Sequence, residues 1–392
     1  MNELQKQQYE AAARYIDEHR GEMLAFWEKL VSTESGTADK EGCDAVASIM
    51  QAELESFGAT VERVAMEKQG DLLKALWNGG NSDKAPVLFC GHMDTVFPKG
   101  TLEKNPFRID EKGLAHGPGC LDMKAGLTIA VFTMKALAAA GYADRPLKAI
   151  FPGDEENGHR NSTANEEILA GAEGCRAAFN FETGFPDDGL VVGRKGSCRV
   201  TIAVQGVAAH AGNAPEKGRS AILEMAHKII AIQALNDIPG GLYVNTGLIK
   251  GGTVVNAIPD NCSVDIDIRY SDRARLDALL EEFRKIVDHV TVEGTSSTMT
   301  VGKPSIPLTP NEAVMGLFEH VKAVAAETGY GDVHPIEVGG WADSCLIASK
   351  GVPVICAMGV KGEYNHSPRE YAIADTLFPR AKLTAASVIA LD

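Results

Sequence analysis

The sequence predicts an α/β fold: a mostly parallel sheet covered by helices, interrupted by a smaller inserted α+β domain. Three observations carry this expectation. Over residues 1–193, helical patterns alternate with short apolar runs, the texture of a layered α/β domain. From about residue 194 the texture changes to period-two strands in the order strand-helix-strand-strand-helix-strand. A proline-rich link, "GKPSIPLTP" at 302–310, then returns the chain to helix and apolar strand. With 392 residues the chain exceeds one compact core of ordinary size, so two domains are the default. The expected division is 1–193 with 304–392 for the larger domain and 194–303 for the insertion.

Taken in order, an amphipathic helix is predicted over about 10–30 and another over 43–57. Apolar runs follow: "DLLKALW", "APVLFCG", "LKAIFPG" and "AAFNFE", each the length of a buried strand. Between them "MKAGLTIAVFTMKALAAAG" reads as a long helix that Gly141 stops. In the insertion, "SCRVTIAVQG", "GLYVNTGLIKGG", "NCSVDIDIRYS" and "SSTMTVG" read as strands. "GRSAILEMAHKIIAIQAL" and "DRARLDALLEEFRKIVDHV" read as helices, which completes the split βαβ, ferredoxin-like order. After the link, the helix "NEAVMGLFEHVKAVAAETG" and the strand "VPVICAMG" resume the first texture.

Composition narrows the function classes. A net charge of -15 argues against nucleic acid or an anionic membrane surface as partner. No apolar run reaches the length of a membrane span. The opening "MNELQKQQYEAAARYIDEHRGEM" is polar and lacks the apolar core of a signal peptide, so a cytoplasmic location is expected. The eight cysteines form no CxxC pair and several sit in apolar runs, which fits buried thiols in a reducing compartment.

In open α/β sheets, functional groups gather beyond the carboxyl ends of strands. Here those ends lead into His92-Met93-Asp94, into Asp154-Glu155-Glu156, into Glu182 and, after a loop, to His366. Asp122 stands at the head of the long helix, where an aspartate is as often a cap as a ligand. Singly, each of these residues has a commonplace structural explanation. Together, carboxylates crowded at one sheet edge repel one another unless a cation neutralises them. Two histidines and three carboxylates suit Zn²⁺. Five ligands are too many for one catalytic zinc with an open position, and they suit two metals sharing one carboxylate. Neighbours on an extended "DEENG" segment would point opposite ways, so Glu155 and Glu156 are expected to do different jobs.

The motifs "GHMDTVFPKG", "DMKAG", "DEENG", "FETG", "AHAG", "GGTVVNAIPD", "GGWADS" and "YNHSPREY" are similar to those of the co-catalytic zinc aminoacylase and carboxypeptidase family. They run from about residue 80 to the end of the chain. The chain resembles most the glutamate carboxypeptidase-like members, alongside succinyl-diaminopimelate desuccinylase and acetylornithine deacetylase. The resemblance implies that His92 and Glu182 bind one metal, Glu156 and His366 the other, and that Asp122 bridges both. It implies two Zn²⁺, with Co²⁺ or Mn²⁺ as alternatives. Asp94 would orient the His92 imidazole. Glu155 would be the general base, passing a proton from water to the leaving amine.

The same resemblance makes the insertion a lid and a homodimerisation surface. His210 would reach the substrate oxyanion, often in the partner subunit's site. Asn256 and Arg269 would contact substrate carboxylate or carbonyl, and the Gly339-Gly340 turn would line the pocket. Read from spacing alone, Arg269 is a strand charge paired with Asp265 or Asp267. Two departures stand out: Gly117-Pro118-Gly119 replaces the family's usual Gly-Arg-Gly, and Glu337 occupies the segment where an arginine would bind a glutamate carboxylate. The expected activity is hydrolysis of the amide bond in small N-acyl amino acids or short peptides with a free carboxylate. The alternatives are a deacylase of a non-peptide amide and a non-catalytic binding protein on the same fold.

Overall fold

The structure, a computed structural model, describes residues 1–77 and 82–392. It divides into two compact units, one of Met1–Val192, Pro310–Ile336 and Ala342–Asp392, the other of Gly193–Thr309 with Glu337–Trp341.

The first unit is built on a six-stranded sheet. In spatial order its strands are Thr60–Val64, Gly70–Trp77, Leu147–Gly153, Val87–Cys90, Ala177–Asn180 and Val354–Ile355. The last four run parallel, and only Gly70–Trp77 is reversed. Val87, Leu88, Phe89 and Cys90 are wholly buried, as strands covered on both faces must be. The helix Ala125–Ala139 is buried nearly all round, and Gly141 ends it with a left-handed φ of 66°. The helix predicted over 10–30 is instead two, Glu3–Glu18 and Arg20–Val31. They break at His19, whose ring stacks on Tyr15 at 3.8 Å and whose Nδ1 lies 2.7 Å from the Tyr15 carbonyl. Asn2 and Gln5 form a capping box that starts the first helix at Glu3, about seven residues earlier than its apolar stripe suggests.

The second unit is a four-stranded antiparallel sheet in the order Tyr243–Gly251, Asn261–Tyr270, Gly196–Gln205, Ser296–Val301. The alternation along Asn261–Tyr270 sends Cys262, Val264, Ile266 and Ile268 into one core with the helices Ala221–Gln233 and Arg273–Asp288. A buried pair, Glu224 and Lys228 at 2.9 Å, ties the helices together: Lys228 donates to the carbonyls of Ile286, Val287 and His289, and Glu224 accepts from the amides of Thr291 and Val292. The return segment joins this unit through Lys195 N to Val338 O at 3.1 Å and Trp341 Nε1 to Ile306 O at 3.1 Å. All eight cysteine side chains are buried as thiols.

Candidate metal centre

Three parallel neighbours, Leu147–Gly153, Val87–Cys90 and Ala177–Asn180, end side by side, and each delivers an acid or a histidine within two residues of its carboxyl end. The structure thereby brings together His92, Asp94, Asp122, Glu155, Glu156, Glu182 and His366. His92 Nε2 stands 3.2 Å from Asp122 Oδ1 and 3.6 Å from Glu182 Oε1. His366 Nε2 stands 3.2 Å from Asp122 Oδ2 and 3.1 Å from Glu156 Oε2. Asp122 therefore turns one oxygen to each histidine. Ligand atoms of His92, Asp122 and Glu156 lie within 4.8 Å of one another, as do those of His92, Glu155 and Glu182.

Asp122 does not cap the helix. Its backbone is extended (φ -113°, ψ 95°), the helix begins at Ala125 with Lys124 as cap, and the Asp122–Met123 peptide is cis. Two residues that the sequence did not single out hold Asp122 in place. Asn365 Nδ2 donates to Asp122 Oδ2 at 3.1 Å, and the buried Glu370 accepts from the amides of Leu121 at 2.8 Å and Asp122 at 3.4 Å. Both lie inside "YNHSPREY", so their proximity to His366 was the only available signal.

Asp94 is wholly buried and serves as a hub. It accepts from Thr37 Oγ1 at 2.7 Å and from the amides of Glu155 at 3.0 Å and Glu156 at 3.2 Å. His92 Nδ1 lies 3.0 Å from its carbonyl and 3.3 Å from Oδ1, so Nδ1 carries the proton and Nε2 faces the cluster. The segment Glu155–Asn157 is a 3₁₀ turn rather than the extended segment expected. Its three residues per turn still aim adjacent side chains apart, now by about 120°.

Crowding leaves its mark on the protonation equilibria. Burial, then Glu182, Asp343 and Glu156, push the Glu155 carboxyl well above its usual range against the pull of His92. Burial opposes ionisation of Asp122, but hydrogen bonds to His366 and His92 outweigh it and hold it far below the usual range. Hydrogen bonds to Asp122 and Glu156 raise His366 to about 11. Glu156 Oε1 is buried without a hydrogen-bond partner among the described residues. An imidazole and carboxylate set with an orphaned buried oxygen fits cations of the Zn²⁺ type.

Asp154, left without a role by the sequence, accepts from His159 Nδ1 at 2.7 Å, and His159 Nε2 meets Asp343 Oδ1 at 2.7 Å. Four further candidates belong to the second unit. His210 is exposed, and its Nδ1 accepts from the amides of Gly212 and Asn213, both at 3.1 Å. The proton of a neutral ring is then on Nε2, available to an acceptor. Asn256 is exposed and its carbonyl accepts from Ala211 N. Arg269 Nε donates to Asp267 at 2.9 Å, the ordinary strand pairing. The Gly340 carbonyl accepts from Arg194 Nη1 at 3.0 Å, and Glu337 is exposed.

Residues 88–390 match the family described as Peptidase family M20/M25/M40. Carboxypeptidase G2 from a Pseudomonas species is 32% identical over 92% of this chain and 87% of its own length. Succinyl-diaminopimelate desuccinylase 1 from Alteromonas mediterranea is 28% identical over 89% of this chain and 91% of its own. The solved structure of aminopeptidase PepT from Bacillus cereus superposes with a TM-score of 0.79 at 20% identity, covering 95% of this chain and 98% of that one. The chain is therefore a metal-dependent hydrolase and belongs to Peptidase family M20/M25/M40.

Proposed function

We propose that the protein hydrolyses the amide bond of small N-acyl amino acids or short peptides that carry a free carboxylate. One observation carries the reading: the two oxygens of Asp122 are divided between His92 and His366, with Glu155 close by at 4.0 Å from His92 Nε2. His92, Asp122 and Glu182 would hold one cation, and Asp122, Glu156 and His366 the second. Zn²⁺ suits both, and Co²⁺ or Mn²⁺ have compatible ligand preferences. When bound, the cations supply Lewis acidity and make water a better nucleophile near neutral pH.

The chain's own groups do the rest. Glu155 takes the proton of the attacking water and delivers it to the leaving amine, so its burial and raised proton affinity suit both directions of transfer. Asp94 keeps Nδ1 of His92 protonated and the ring fixed. Nε2–H of His210, from this subunit or from a partner subunit, would be the donor to the oxyanion. The two similar proteins named carboxypeptidase and desuccinylase support a scissile amide beside a carboxylate. Glu337 in place of an arginine favours an amino acid other than glutamate, with a basic side chain as the first choice. A library of N-acyl amino acids and dipeptides, each paired with its carboxylate-blocked amide, tests this. Turnover of the free acids alone is expected, and equal rates on both would sink carboxylate recognition.

The second unit would be the lid and the homodimer surface. Its edge strand Tyr243–Gly251 exposes Leu248 and Ile249 by 59% and 57%, and the helix Ala221–Gln233 packed beside it exposes Ile230 by 71%. An open strand edge with apolar neighbours is a ready pairing surface. Light scattering after size exclusion should give a dimer for the native chain and a monomer for Leu248→Glu with Ile230→Glu. A monomeric native chain overturns it.

A further inference from the structure

Beneath the two glutamates lies a second constellation of ionisable side chains. Asp154, His159 and Asp343 are each 2% exposed or less, and the imidazole meets an aspartate oxygen at 2.7 Å on either nitrogen. Carboxylates only accept, so the geometry has both ring nitrogens donating. The backbone is set for this: His159 N donates to Asp154 O at 3.3 Å, and Gly158 and His159 take left-handed φ values of 70° and 55° in succession. Asp154 immediately precedes Glu155, and Asp343 immediately precedes the helix Ser344–Ser349.

Apolar side chains of similar volume would fill the same space without desolvating three charges, so the triplet is a costly way merely to pack a core. What it does provide is direction. Asp94 grips the Glu155–Asn157 turn by the amides of Glu155 and Glu156, and the His159 clamp grips the same turn from Asp154. We propose that His159 is a positioning residue for Glu155 and Glu156: it ties their turn, through Asp154, to Asp343 and so fixes where both carboxylates stand relative to the cations. The proposal rests on the ligand and base roles given above. Burial works against a charged His159, and Asp343 and Asp154 together outweigh it, which keeps the clamp closed across the neutral range.

Asp343→Leu tests it without stranding a buried charge, because it leaves His159 paired with Asp154. Asp343→Asn keeps a carbonyl oxygen for Nε2–H in the same place and serves as the conservative rescue. In the metal-loaded enzyme, Asp343→Leu should lower kcat at least about tenfold with KM within about threefold, in a protein that stays folded at the assay temperature although the buried Nε2–H loses its acceptor. Asp343→Asn should retain most of the native kcat. The visible absorption bands of the Co²⁺-loaded protein read the same displacement without substrate: shifted for Asp343→Leu, native for Asp343→Asn. If both variants keep native kcat and native bands, His159 only fills space and the proposal is overturned. If Asp343→Leu loses its fold while Asp343→Asn does not, the thermal midpoints assign the triplet to stability and overturn it equally. If the native enzyme hydrolyses no amide in the library, the proposed function fails, and the Co²⁺ bands still decide the clamp.

Discussion

Glu155 and Glu156 are chain neighbours with different surroundings, and the chemistry needs that difference. Glu156 reaches His366 at 3.1 Å and keeps a second oxygen without a hydrogen-bond partner among the described residues, which suits the ligand role proposed for it. Glu155 is buried at 4.0 Å from His92 Nε2, with its proton affinity raised. Glu155→Gln should therefore retain two metal equivalents and lose kcat by roughly 10²–10⁴, the usual share of a general base. Glu156→Ala should lose one equivalent. Elemental analysis beside kcat checks both, and loss of metal from Glu155→Gln would instead make Glu155 a ligand with His92 and Glu182. At this scale the sequence was informative where a residue follows a strand end, because sheet topology then determines its neighbours. It was silent on Thr37, and on the joining of His159 to Asp343 across 184 positions, because one hydrogen bond between loops leaves no periodicity. Arg269 pairs with Asp267, one of the two partners its strand position suggested.

Among elements, the centre depends on how closely the helix Ala125–Ala139 approaches the strand that delivers Glu182. Gly126 makes the approach possible: a Cβ there would lie 2.0 Å from the Phe181 carbonyl oxygen, a backbone atom next to Glu182. Neither helix nor strand exit can yield without moving Glu182 or the residues after Asp122. Gly126→Ala should cost about 1–3 kcal/mol of stability through overpacking, despite alanine's better helix propensity. It should also weaken the cation site proposed to include Glu182. Calorimetry and metal titration check the pair of effects, and an unchanged midpoint would show that the strand exit relaxes freely. The parallel core was legible because its strands are continuous apolar runs. The reversal of Gly70–Trp77 was not, since an apolar run has no direction and only its pairing with Leu147–Gly153 fixes it. The break at His19 is not legible in the sequence for a related reason: the apolar stripe continues through it while the backbone does not.

At the scale of the whole chain, folding, protons and cations are linked, and the site fixes the sign. Burial foremost raises Glu155 and Glu156 above an ordinary value of 4.5, and hydrogen bonds raise His366 from 6.5 to about 11. A group whose folded value lies above its unfolded one adds stability that is complete below the unfolded value and lost as pH rises through the folded one. In the metal-free chain all three groups thus lose stability as pH climbs, the glutamates from 4.5 upward and His366 from 6.5 toward 11. Asp122 works in the opposite sense, but its contribution is lost only below 3.8, outside that window. Cations need the deprotonated ligands, so their affinity rises over the range in which the metal-free fold weakens, by about tenfold per pH unit for each proton displaced. Binding to the folded state alone converts that affinity into stability. The difference in thermal midpoint between metal-loaded and chelator-treated protein should therefore widen from about pH 5 to about pH 8, mainly because the chelated protein melts earlier. Calorimetry at fixed free Zn²⁺ measures it. A constant or narrowing difference would mean that the cations displace no protons from His366 and Glu156, and that they bind elsewhere on an acidic surface.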